Sequence, residues 1–155
     1  MAFTHTNKIT YTYTAGGLNT TSIVSKAETW GAEMNISEEV TTAGGIGEDA
    51  RDLEYFEFTT KTQARSVMLL MTGDGVNTFD CALWANGTGG TKMADLVDGE
   101  PFVWSSSDGS TGNFPPGNEN PMVDSTTKLT VKPVDETLES ITGTLTVKVL
   151  YDPQA

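Results

Sequence analysis

An all-β fold is the architecture this sequence predicts: an antiparallel β-sandwich of about eight strands, of jelly-roll type, with long Gly/Ser/Asn/Pro-rich loops. Three observations carry the prediction. The 155 residues include 25 Thr and 16 Gly; threonine is β-branched and suits a pleated, half-wet surface, and glycine supplies turns. Apolar and polar residues alternate with a period of two in several separate segments. The connections between those segments are too short for βαβ crossovers and longer than those of a meander, and no internal repeat is present. Eight strands with uneven connections favour a jelly roll over a seven-stranded immunoglobulin sandwich, whose Cys…Trp…Cys signature is missing.

Residues 1–8 read as an extended polar N-terminal arm, which leaves 9–155 as a single domain. Ile9, Tyr11 and Tyr13 alternate with Thr10, Thr12 and Thr14, the pattern of a strand with one buried face, and Ala15-Gly16-Gly17 ends it. Between Thr20 and Val40, Ile23-Val24 and the alternating Ala32, Met34 and Ile36 read as strand. A helix from Lys26 to Met34, with Ala27, Trp30 and Met34 on one face, is the rival reading, weakened by Gly31 in its middle. A loop over Thr41–Ala50 precedes an apolar-rich strand containing Leu53, Tyr55, Phe56 and Phe58.

The run Val67–Met71 is apolar on both faces, as in a central strand covered from two sides. Asp74-Gly75 has the chemistry of a tight turn, so a hairpin is expected between that run and Phe79–Trp84. Gly87–Gly99 reads as a connection with at most a turn of helix, capped by Thr91, with Met93, Leu96 and Val97 facing inward. Pro101–Trp104 resumes strand, and Ser105–Pro121 reads as an exposed functional or interface loop. Leu129–Pro133 and Leu145–Tyr151 close the chain as strands, joined by a short helix or crossing loop through Val134, Leu138 and Ile141.

Composition and charge bound the function. Nine basic residues against 21 acidic give a net charge of −12, which repels a phosphate backbone and argues against a nucleic-acid partner. No apolar run approaches the length of a membrane-spanning helix. The first residues lack a basic stretch followed by an apolar one, so the expectation is synthesis in a cytoplasm without export. A lone Cys81 excludes an intramolecular disulfide and a thiolate zinc cluster. Without a secretory route, the sequons at Asn19, Asn35 and Asn86 carry little weight.

Catalytic groups are scarce, and the expectation is a protein that is not an enzyme and needs no cofactor. His5 sits in a polar arm, where a solvated terminal residue is the simplest reading, and Cys81, between Phe79 and Leu83, reads as a core thiol. The carboxylates form no recognisable acid pair, and no residues can be named for a hydrolase. Asp74–Asp80 and Asp108–Asn113 concentrate oxygen ligands, but turn chemistry explains Asp and Gly there and neither matches an EF-hand. Trp30, Trp84, Trp104, Tyr11, Tyr13 and Tyr55 keep a carbohydrate-binding alternative open, as a module of a phage tail or fibre or of another surface protein in which Trp104 and the 105–121 loop meet the sugar.

From Thr21, an opening strand runs into Ala32-Glu33-Met34-Asn35-Ile36-Ser37-Glu38-Glu39-Val40; a Thr-Ala-Gly loop, Leu53–Thr60, Val67-Met68-Leu69-Leu70-Met71 and a turn into Thr78–Trp84 follow. This outline, under half of the chain, resembles the small jelly-roll proteins that decorate or cement the capsids of tailed bacteriophages. The resemblance implies a non-enzymatic virion protein on the outer capsid surface, commonly a homo-trimer, with arms or loops gripping the major capsid protein. Acidity suits that exterior. Bringing several such charges together implies a largely apolar contact, for which Met1, Ala2, Phe3, Thr4 and His5 of the arm, together with Trp104 and Phe114, are the interface candidates.

Overall fold

The computed structural model describes residues 1–42, 50–53, 58–76, 78–107, 114–134 and 141–154. The strands in chain order are β1 (Phe3–Ala15), β2 (Leu18–Trp30), β3 (Ala32–Thr42), β4 (Arg51–Leu53), β5 (Ala64–Gly73), β6 (Cys81–Ala85), β7 (Thr91–Leu96), β8 (Phe102–Ser105), β9 (Leu129–Pro133) and β10 (Ile141–Tyr151). A 3₁₀ turn at Lys61–Gln63 leads into β5.

From β3 onward the chain behaves as one long antiparallel ribbon rolled up. β3 pairs with β10, β4 with β9, β5 with β8 and β6 with β7. Rolling that ribbon adds the pairs β10–β5 and β9–β6. Two four-stranded sheets result, β3-β10-β5-β8 and β4-β9-β6-β7. This is a jelly roll, as the sequence predicts, but its eight strands are not the eight expected: Ile9–Tyr13 lies outside both sheets, and β7 stands where a connection was expected. β1 and β2 stand apart as a two-stranded sheet of their own.

Period-two patterning places the core between the two sheets. Val67, Leu69 and Met71 from β5, Leu145, Val147 and Val149 from β10, and Trp104 from β8 meet Leu53, Cys81, Leu83, Leu96, Leu129 and Val131 of the other sheet. β5 is a central strand, flanked by β10 and β8. Gly143 marks a close approach within the core: a Cβ there would lie 2.9 Å from Phe79 Cδ2 and 2.9 Å from the Thr72 carbonyl oxygen, so a larger residue forces the neighbours to shift.

Several sequence expectations change. The hairpin expected across Asp74-Gly75 does not form, because β10 and β8 occupy both edges of β5 and leave none for β6. The connection crosses between sheets and is held by Asp98, whose Oδ1 accepts the Gly73 N–H (2.8 Å) and whose Oδ2 accepts the Phe79 N–H (3.1 Å). The turn of helix expected within Gly87–Gly99 is instead β7. Opposite Leu83 and Trp84 the register passes from Ala94 to Lys92, so Met93 is an extra residue that breaks the alternation. No helix forms over Lys26–Met34; β2 and β3 meet at a bend on Gly31.

Residues 3–8 do not form a separate arm, since they are the first half of β1 and pair with Trp30 to Ser25. In the expected strand around Leu53–Phe58, β4 ends at Leu53 and Phe58 makes a single bridge to Thr126; Tyr55 and Phe56 lie outside the described residues. Also outside them are most of the loop expected at 41–50, the Asp108–Asn113 segment and the stretch 135–140.

Candidate functional site

The β1–β2 hairpin closes through Gly16 (φ 57°) and Gly17 (φ 83°), the left-handed pair that a two-residue turn matching strand twist requires. Its register places Phe3, His5, Asn7, Ile9, Tyr11 and Tyr13 on one face with Trp30, Glu28, Lys26, Val24 and Ser22. The opposite face is rich in threonine, with Thr4 and Thr29 hydroxyls 2.8 Å apart and Thr12 and Thr21 hydroxyls 3.3 Å apart.

The first face divides in two. Its base half lies over β10, β5 and β8 as a third layer, and Phe3, His5, Asn7, Lys26, Glu28 and Trp30 are all at least half-buried. His5 Nε2 lies 2.8 Å from Glu33 Oε1, Lys26 Nζ is 3.4 Å from Glu28 Oε1, and the Arg65 guanidinium stacks 4.8 Å above the Trp30 ring. Leu150, cross-strand neighbour of Glu33, is fully buried although it alternates out of phase with Val147 and Val149. The hairpin base covers that outward side of the sheet.

Beyond Asn7 the same face is bare. Ile9, Tyr11, Tyr13 and Val24 are between 39% and 64% exposed, a contiguous apolar patch of the kind that marks an interaction surface. An isolated two-stranded hairpin is also marginally stable in water, so this half calls for a covering surface. Charge sharpens the contrast. Residues 9–25 carry no charged side chain, and residues 1–27 hold two lysines and no acid, which leaves all 21 acidic residues to the rest of the chain.

The interface candidates from sequence scatter. Met1, Ala2 and Thr4 are exposed at the hairpin base, while Phe3 is half-buried. His5 is a tether to Glu33 rather than a solvated terminal residue, because β1 carries it across the sheet. Trp104 and Phe114 are not surface residues: Trp104 pairs with Val67 and points into the core, and Phe114 is buried through its bridge to Ser105. Their Ser- and Gly-rich sequence neighbourhoods suggested exposure, but strand phase decides which way each ring faces. The patch residues Ile9, Tyr11, Tyr13 and Val24 were legible as strand and not as surface; the uncharged run around them was the available signal.

Other groups are already occupied. Burial pushes the Cys81 thiol up to about 12, with Asp80 and Asp95 adding to the effect, so it is neutral and unreactive. Asp74 Oδ1 accepts the Val76 N–H and Asp80 Oδ1 the Asp98 N–H, each 2.8–2.9 Å, which is turn chemistry. Among the described residues no three His, Cys, Asp or Glu side chains converge as metal ligands. A cleft of about 440 Å³ near Met93, Phe102 and Met122 is bordered by Lys61 and Asp124, whose Oδ1 accepts the Lys61 N–H at 2.6 Å and so fixes the loop. Set against protein-family models, characterised proteins and solved structures, the chain finds no match.

Proposed function

We propose that this protein is a non-enzymatic structural module, a jelly-roll body carrying an assembly arm, and that it cements neighbouring major capsid protein subunits on the outer surface of a bacteriophage capsid. The observation that carries the interaction reading is the β1–β2 hairpin, which extends an uncharged apolar face past the body that covers its base. The resemblance of the Thr21–Trp84 outline to capsid decoration proteins supplies the partner, and a net charge of −12 suits a position away from packaged DNA. Binding only the assembled shell stabilises it by mass action, and several contacts per particle multiply the effect.

A sugar-binding reading through Trp104 has no observation in its favour, since that ring has no exposed face. The test compares particles stripped of the protein with particles to which it is restored, scoring survival of heat and osmotic shock. Restored particles should survive better; equal survival removes the reading.

A further inference from the structure

We propose that the bare half of the hairpin face is covered by a second copy of this chain, seated on the end of that copy's sandwich where Val76, Val97 and Val134 are exposed. The inference rests on the reading of the hairpin as an assembly arm and names its occupant.

Two properties of the molecule match. The arm is apolar and uncharged along Ile9, Tyr11, Tyr13 and Val24, and flanked by Lys8 and Lys26 with no acid before Glu28. The body is the reverse, with 20 of the 21 acids against seven basic residues. At one end of the sandwich it also exposes apolar side chains next to acids. Val76, Val97 and Val134 are all exposed, and hydrogen bonds gather them around one knot. Gly73 N–H donates to Asp98 Oδ1, Asp98 N–H to Asp80 Oδ1, and Val134 N–H to the Asp80 carbonyl (3.0 Å).

That end lies at the Gly73 terminus of β5, whereas the hairpin base sits by Leu150, which pairs with Ser66 near the other terminus. The arm of one copy therefore meets a different surface of the next, a heterologous contact that closes into a ring or propagates. It also eases the repulsion between acidic copies, because a stretch of one chain that holds no acid meets an end of another that carries Asp74, Asp80 and Asp98.

The test measures the mass of the full chain by light scattering after size exclusion. An arm variant replaces Ile9, Tyr11, Tyr13 and Val24 with Thr, and an end variant replaces Val76, Val97 and Val134 with Thr; both keep β-branched residues at exposed positions, and circular dichroism confirms that each folds. The full chain should have a mass of several times 16.6 kDa. Each variant should fall to a single chain mass, with association weakened about a hundredfold or more. Mixing the two variants should give a pair of chains, because one intact contact then remains.

A single-chain mass for the full chain at all concentrations overturns the inference. So does an arm variant that stays assembled, or a mixture that forms no pair, which would mean that arm packs on arm. Capsid protection separates this from the functional proposal: a full chain that stays single yet protects particles sinks the second-copy contact alone, and an assembled chain that protects nothing sinks the capsid reading alone.

Discussion

The sandwich and the hairpin are built from the same alternating, threonine-rich strands, yet one is closed and the other open. In the sandwich each inward residue meets another sheet, and Trp104, Phe79 and a set of leucines and valines lose all contact with water. In the hairpin, side-chain contacts at the base do the holding: the His5–Glu33 hydrogen bond and the Trp30–Arg65 stack, beside the buried Asn7 Nδ2, Trp30 Nε1 and Arg65 Nε, which find no hydrogen-bond partner among the described residues. Alternation makes a face, but only a second layer makes a core. Where the layer ends, after Asn7, the same pattern becomes an exposed patch.

The contrast can be broken most severely from the core side. Trp104→Ala removes the largest fully buried side chain and should cost about 3–5 kcal/mol. For a chain of this size that is roughly a 6–20 °C fall in Tm by calorimetry. A drop of only a degree or two would mean that the sandwich is not a close-packed core. Gly143→Ala is next. Its Cβ meets the Thr72 carbonyl and the Phe79 ring at 2.9 Å, and overpacking of this kind costs about 1–3 kcal/mol, read as a lower urea midpoint.

Cys81 tests the dryness of the core by pH. Its folded pKa is raised from 9.0 to about 12, so the folded state keeps a proton that the unfolded state releases. Its contribution is complete below pH 9 and is lost as pH rises toward 12, by about 1.4 kcal/mol per pH unit within that window. Denaturant titrations at pH 8, 9 and 10 follow the loss against the Cys81→Ala variant, in which this component should be missing. Native protein should also resist iodoacetamide until it unfolds.

The smallest effect belongs to the hairpin. Glu33→Ala deletes the hydrogen bond to His5 and should cost about 1 kcal/mol, confined to the third layer. Amide exchange at residues 4–8 should accelerate while β5 and β10 stay protected. An equal acceleration in β5 would show that hairpin and sandwich open as one unit, which would dissolve the contrast.

Strand phase was readable because it is local. Ile9, Tyr11 and Tyr13 in β1, Val67–Met71 in β5 and Leu145–Tyr151 in β10 are strands; Leu145, Val147 and Val149 are buried as their alternation indicates, whereas the face of Ile9, Tyr11 and Tyr13 that the same pattern marked for burial is exposed. Residues 3–8 were misread as an arm because their covered face lies on a sheet's outer surface, where His5 and Asn7 serve as well as apolar residues. Met93, Leu96 and Val97 mimic helical spacing because Met93 is bulged out of register.

By itself, the sequence determined the class, the strand phases and the charge asymmetry, all of which follow from residue types and short-range periodicity. Tertiary structure decided which strands pair, which tryptophan is buried and where the hairpin's cover stops. Pairing is a competition between edges far apart in the chain, and exposure depends on the layer opposite; neither is written in any one segment. The same period of two runs along the whole face of β1 and β2, and the position of β10, β5 and β8 beneath its base is what leaves Ile9, Tyr11, Tyr13 and Val24 for another molecule.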